Sequence, residues 1–136
     1  MFKILGLDHV VLRVADVARM RRFYCDVLGC TVERDRGDIG LTQLRAGASL
    51  IDLIAIESEI GRKLGAGPGP AGGRNLDHFC LRIDPFDPGA LAAHLGAYGV
   101  TPGQIAPRYG ADGTGPSMYI SDPEGNTVEL KGPPTP

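Results

Sequence analysis

Tryptophan is absent, and aromatic residues make up only 6% of the 136 positions. A core must therefore rest largely on aliphatic side chains, and the 43% hydrophobic content is enough for a packed interior. No apolar run approaches the roughly 20 residues of a membrane span. An excess of charge of either sign is missing too: 14 Lys and Arg stand against 16 Asp and Glu, for a net charge of −2. The basic residues are scattered, so nothing points to nucleic acid or to an acidic membrane as a partner. The three cysteines, Cys25, Cys30 and Cys80, cannot all pair and form no C-x-x-C. They read as reduced thiols of a cytoplasmic protein. The N-terminus, Met1-Phe2-Lys3-Ile4-Leu5-Gly6-Leu7-Asp8, meets a charge too early for a secretory signal.

Repetition is what the chain has instead. Leu7-Asp8-His9-Val10-Val11-Leu12-Arg13-Val14 returns as Leu76-Asp77-His78-Phe79-Cys80-Leu81-Arg82-Ile83. Five residues are identical and the other three are apolar both times. The chain thus reads as two copies of one small unit, each opening with a strand that carries a histidine at the same point. Two such histidines are what a shared metal site needs.

Periodicity fills in the units. After a strand over about Leu5 to Val14, Asp16 is a helix N-cap, and Val17, Met20, Phe23/Tyr24 and Val27/Leu28 recur at helical spacing, ended by Gly29. Strands are expected at about Thr31–Arg36, Leu41–Ala46 and Ala48–Ile56. The glycine- and proline-rich stretch from Gly61 to Arg74 reads as a linker. The second copy repeats the order: a strand at Leu76–Ile83, a helix at about Pro88–Tyr98, then strands near Gly103–Pro107, Ser117–Ser121 and Asn126–Lys131. Asp122-Pro123-Glu124-Gly125-Asn126 is a hairpin turn. The expectation is one α+β domain over 1–136, with βαβββ modules at 5–57 and 76–132 joined by a linker at 58–75.

With these elements in place, the chain resembles the vicinal oxygen chelate superfamily, which holds glyoxalase I, methylmalonyl-CoA epimerase, extradiol dioxygenases, fosfomycin resistance proteins and bleomycin-binding proteins. The resemblance runs from about Leu5 to Lys131. It rests on the doubled L-D-H-x-x-L-R-x strand, the Phe23-Tyr24-x-x-x-Leu28-Gly29 helix end, and the closing Tyr119-Ile120-Ser121-Asp122-Pro123-Glu124-Gly125-Asn126-Thr127-Val128-Glu129-Leu130. It implies the glyoxalase/bleomycin resistance/dioxygenase fold: two βαβββ modules forming a curved, barrel-like mixed sheet around a cup that holds a divalent metal.

The family draws its ligands from the first and last strand of each unit. By position these are His9 and Asp52 in the first unit and His78 and Glu129 in the second. Imidazole with carboxylate suits Zn, Ni, Co, Mn or Fe(II). Strand parity agrees with the assignment. If His9 faces inward, so do Val11 and Arg13, while Val10, Leu12 and Val14 pack; likewise His78, Cys80 and Arg82 against Phe79, Leu81 and Ile83. Asp8 and Asp77 fall on the opposite parity, which suggests a role at the strand entrance. Asp52 stands in an almost wholly apolar strand, so a metal or an arginine (Arg13 or Arg82) is expected to compensate its charge. His94, on a helix, reads as a surface residue.

The ligand count separates the activities. Four protein ligands leave two octahedral positions, which fits a glyoxalase-like lyase or isomerase that stabilises a metal-chelated enediolate, with Glu129 as the expected general base. Three ligands without Asp52 fit an Fe(II) extradiol dioxygenase, for which Tyr119, ten residues before Glu129, is the active-site tyrosine to expect. A fosfomycin-type transferase and a metal-free drug-binding resistance protein complete the alternatives. The sequence departs from the glyoxalase pattern at Asp52, where glutamate or glutamine is usual. Arg13 and Arg82 are expected to bind a small anionic substrate. The segment 103–115, with Arg108 and Tyr109, reads either as a lid that adds substrate contacts or as an ordinary loop. The resemblance also implies a homodimer.

Overall fold

Two aspartates punctuate the fold in the same way. The computed structural model describes residues 1, 5, 7–63 and 75–136, which form two compact units, Met1–Asn75 and Leu76–Pro136. In the first, strand β1 (His9–Val14) leads through Asp16 into helix α1 (Val17–Arg22), and Asp16 caps that helix by accepting from the Arg19 N–H at 3.0 Å. In the second, strand β5 (Phe79–Arg82) is followed by helix α3 (Pro88–Ala97), where Asp87 accepts from the Ala90 N–H at 3.0 Å. Gly29 and Gly99 then take positive φ (79° and 72°) just past the helical segments, turning the chain back toward the sheet.

The first unit continues with β2 (Thr31–Arg36), β3 (Leu41–Ala46), β4 (Ser49–Ala55) and the short α2 (Glu59–Lys63). Its sheet has the order β1-β4-β3-β2, with β1 parallel to β4 and the other pairs antiparallel. Leu12, Val14, Leu44, Ile51 and Leu53 are buried, as are Met20, Phe23 and Tyr24 from the helical segment. This is the aliphatic core that the scarcity of aromatics required. The free edge of β1 is closed by Asn75, whose amide donates to the Arg13 carbonyl at 3.2 Å and accepts from the Arg13 N–H at 3.4 Å.

The second unit adds β6 (Ala106–Gly110), β7 (Gly113–Ser121) and β8 (Thr127–Lys131) in the order β5-β8-β7-β6, again with one parallel pair, β5 with β8. Leu95, Met118, Ile120, Val128 and Leu130 are buried here. The Asp122–Asn126 turn is held from within: Asp122 Oδ1 accepts from the N–H groups of Glu124 and Asn126, both at 2.9 Å. No described helix is long and apolar enough to cross a membrane.

Three expectations change. The segment Gly103–Gly115 is not a loop, because most of it forms the β6–β7 hairpin. The helix expected to run on to Leu28 gives way after Arg22 to a π-helical turn, Phe23–Val27. Strands β1 and β5 begin later than expected, at His9 and Phe79, which leaves Asp8, Asp77 and His78 just ahead of the regular strands. Of the linker, 64–74 lies outside the described residues.

Candidate functional site

In the first unit, the β1–β4 register pairs His9 with Leu50, Val11 with Asp52 and Arg13 with Ile54. His9, Arg13 and Asp52 thus share one face of the sheet. Asp52 is 6% exposed, and its one hydrogen-bond partner among the described residues is Gln43, whose amide donates to Oδ2 at 3.1 Å. Oδ1 is buried with no partner among the described residues. The arginine expected as a compensating charge is therefore not what holds Asp52 among the described residues. A buried carboxylate oxygen without a donor is costly, by about 1–3 kcal/mol, and a cation would remove that cost.

In the second unit, β5 and β8 pair Cys80 with Glu129, and β7 and β8 pair Tyr119 with Glu129. Glu129 is 6% exposed. Its Oε1 accepts from the Ser117 hydroxyl at 2.7 Å, and its Oε2 lies 3.3 Å from Nε2 of His78. Ser117 in turn accepts from Arg108 Nη1 at 2.8 Å, and Arg108 also donates to the Ser117 carbonyl at 2.9 Å. Tyr119 meets His78 edge-on at 5.4 Å between ring centres, and the Arg108 guanidinium lies 4.4 Å above the Tyr119 ring. Partial desolvation, with the Glu129 charge adding to it, pushes the Cys80 thiol up to about 11.

The two histidines are held alike. Nδ1 of His9 is 2.7 Å from Asp8 Oδ1, and Nδ1 of His78 is 2.7 Å from Asp77 Oδ2. A carboxylate at Nδ1 keeps the ring proton there and leaves the Nε2 lone pair available, the arrangement that orients metal-bound imidazoles. The hydrogen bond from Asp8 raises the His9 pKa; burial opposes this, and the charge of Asp52 adds to the rise. Parity set these aspartates aside, but alternation holds only inside a strand. Because both precede the regular strands, each can turn to the ring that follows it. The doubled Asp-His dipeptide is the trace of this in the sequence.

The remaining residues divide. Arg108 joins the Glu129 network, whereas Arg82 is ion-paired with Asp112 of the β6–β7 turn. Tyr109 falls on the opposite face of β6 from Arg108 and is 84% exposed. Cys80, on the face of β5 that pairs with Glu129, is exposed. His94 is exposed, as expected of a surface helix position. No group of three or more His, Cys, Asp or Glu suited to a metal occurs among the described residues. Each unit brings together one imidazole and one carboxylate. That donor set fits a divalent ion: in the second unit the two donors are separated by about the distance of neighbouring ligands on one metal, roughly 3 Å for bonds near 2.1 Å.

The family model for the Glyoxalase/Bleomycin resistance protein/Dioxygenase superfamily matches residues 6–130, and the chain belongs to that superfamily. A virulence protein of Salmonella typhimurium is 31% identical over 127 residues, covering 91% of this chain and 81% of that protein. An integron cassette protein from the mobile metagenome of V. cholerae superposes with a TM-score of 0.75 at 29% identity, covering 97% of this chain and 98% of that one. A lactoylglutathione lyase from Agrobacterium tumefaciens has a TM-score of 0.69 at 22% identity, covering 96% and 95%, a likeness of fold alone.

Proposed function

We propose that this protein is a divalent-metal-dependent enzyme of the glyoxalase type, a lyase or isomerase acting on a small anionic substrate, with His9, Asp52, His78 and Glu129 as the metal ligands. The observation that carries the reading is the contact of His78 Nε2 with Glu129 Oε2 at 3.3 Å while Asp77 occupies Nδ1. With the ring proton at Nδ1, two electron-pair donors face each other, and positive charge must lie between them. A divalent ion meets that need as a proton on the ring would; in the first unit the buried Oδ1 of Asp52, without a partner among the described residues, is a second oxygen that a cation would satisfy.

When bound, the metal supplies Lewis acidity that stabilises negative charge growing on a substrate oxygen. The protein's own groups handle the proton. Glu129, once its Oε2 is displaced by the substrate, would take a proton from the substrate carbon and return it, with Asp52 as its opposite number. Ser117 keeps Oε1 of Glu129 out of the exchange. Arg108, braced on Ser117 and Tyr119, and Arg13 supply positive charge for the substrate anion.

Tyr119 against His78 supports a second reading, an extradiol-type Fe(II) dioxygenase using His9, His78 and Glu129 with Tyr119 beside the substrate. We further propose a homodimer in the cytoplasm; the three free thiols support a reducing compartment. Metal analysis of protein purified without a metal-binding tag tests the leading reading. Wild type should carry about one Zn, Ni, Co or Mn per chain, and the His78→Ala variant should lose it. Unchanged metal content in that variant refutes the ligand set. Iron, with oxygen uptake on catechols, selects the dioxygenase instead. A monomeric mass at micromolar concentration refutes the dimer.

A further inference from the structure

Lys131 lies two residues beyond Glu129 on β8, facing the same side of the second unit's sheet. It is 5% exposed, yet its ammonium has no hydrogen bond or ion pair among the described residues. The side chain runs across the sheet to β6, where it crosses a gap that only glycine leaves open. A Cβ on Gly110 would stand 2.9 Å from Lys131 Cε and 3.8 Å from Nζ. The register also pairs Lys131 with Arg82 on β5 and with Ser117 on β7, the residue that holds Arg108. Of these three cations, Arg82 is neutralised by Asp112, and Arg108 is bound to the uncharged Ser117 and Tyr119. Asp112 and Glu129 are the carboxylates on this side, so one of the three positive charges is left over, and the Lys131 ammonium makes no ion pair among the described residues.

We propose that Lys131, with Arg108 beside it, is an anion-binding subsite that takes a compact oxyanion of the substrate, a carboxylate or a phosphoryl group. The assignment rests on the proposed chemistry at Glu129 for its meaning and adds the substrate's shape. The substrate therefore carries its anionic group on the β6 side of the atom that Glu129 serves, which fits a short-chain organic acid or phosphoryl ester and not a neutral dicarbonyl. A buried lysine stem that carries its ammonium to the surface of the sheet is suited to such a group, since the stem is held by packing while the head stays open to an anion.

The test uses full-length protein freed of metal with a chelator, titrated calorimetrically with inorganic phosphate in one arm and acetate in the other. Wild type should bind at least one of them saturably, and the stronger arm names the oxyanion class. Lys131→Met keeps the volume of the stem and should weaken that binding roughly tenfold or more, whereas Lys131→Arg should retain it. Undiminished binding in Lys131→Met overturns the proposal, as does a wild type that binds neither anion. Metal content is measured on the same preparations before chelation. If phosphate binding depends on Lys131 in a protein that takes up no metal, the metal reading falls and the anion subsite stands. If metal is bound and the anions are not, the reverse holds.

Discussion

Ser117 donates its hydroxyl hydrogen to Glu129 Oε1 at 2.7 Å, and both residues are buried. The carboxylate is thereby fixed with one oxygen spoken for and the other turned to His78. Removing the hydroxyl frees Glu129 to rotate and leaves Oε1 without its donor. Ser117→Ala should lower metal affinity about 10–100-fold, the usual effect of losing a group that orients a ligand. Ser117→Thr, which keeps the hydroxyl, should restore most of it. Chelator competition measures both, and equal affinities in wild type and the alanine variant would show that Ser117 does not position Glu129.

His9 gives the pH dependence its sign. Its folded pKa is raised, first by the hydrogen bond to Asp8. The stabilisation from that contact is fully present below the unfolded value, about 6.5, and is lost as pH rises through the higher folded value. Metal uptake runs the other way, because a ligand imidazole must be neutral at Nε2. Asp8→Asn should bring the His9 titration back toward its ordinary value, followed by the ring proton resonances of metal-free protein. A titration unmoved by that substitution would remove Asp8 as the cause.

Much of this was legible in the sequence because it depends on local rules. The doubled octapeptide, two periodicities and a few glycines placed both βαβββ units, and β2 and β3 keep their expected limits, Thr31–Arg36 and Leu41–Ala46. The β6–β7 hairpin was hidden because Pro107, Gly110, Gly113, Gly115 and Pro116 all read as loop. In the fold, Pro107 and Pro116 are register partners, so two positions lacking N–H groups coincide, and β6 is an edge strand where proline is tolerated. Ser117, Gln43 and Lys131 were not singled out as site residues for another reason. Gln43 matters through its cross-strand register with Asp52, and Ser117 through its register with Lys131 and its hydroxyl on Glu129; only the strand pairing, which no periodicity along one strand reveals, brings these groups together.

The paired helix caps make a stability prediction that is independent of the metal. Asp16→Ala and Asp87→Ala each remove a side-chain acceptor from an N-terminal N–H. Each should cost about 1 kcal/mol, read from urea unfolding of metal-free protein. Because the two caps lie in separate compact units, the double variant should lose about the sum of the two. A variant as stable as wild type would mean that its cap is replaced by water without loss.

Asp52 joins stability to function. Its buried Oδ1 has no donor among the described residues, and its neighbours along the strand are Leu50, Ile51, Leu53 and Ile54. In metal-free protein this carboxylate is a burden carried for a purpose other than folding. Asp52→Leu should therefore stabilise the metal-free protein by about 1 kcal/mol, since it removes an unsatisfied buried acceptor and Gln43, only half-buried, can turn to water. The same substitution should abolish tight binding of one Zn, Ni, Co or Mn. Urea unfolding after chelation gives the first quantity and competition against a metal indicator the second. A variant that is more stable but metal-poor identifies Asp52 as a ligand kept at the expense of the fold. If it keeps its metal, three ligands suffice and the dioxygenase reading gains. Should it lose stability as well as metal, Asp52 is a structural residue whose Oδ1 is satisfied in solution.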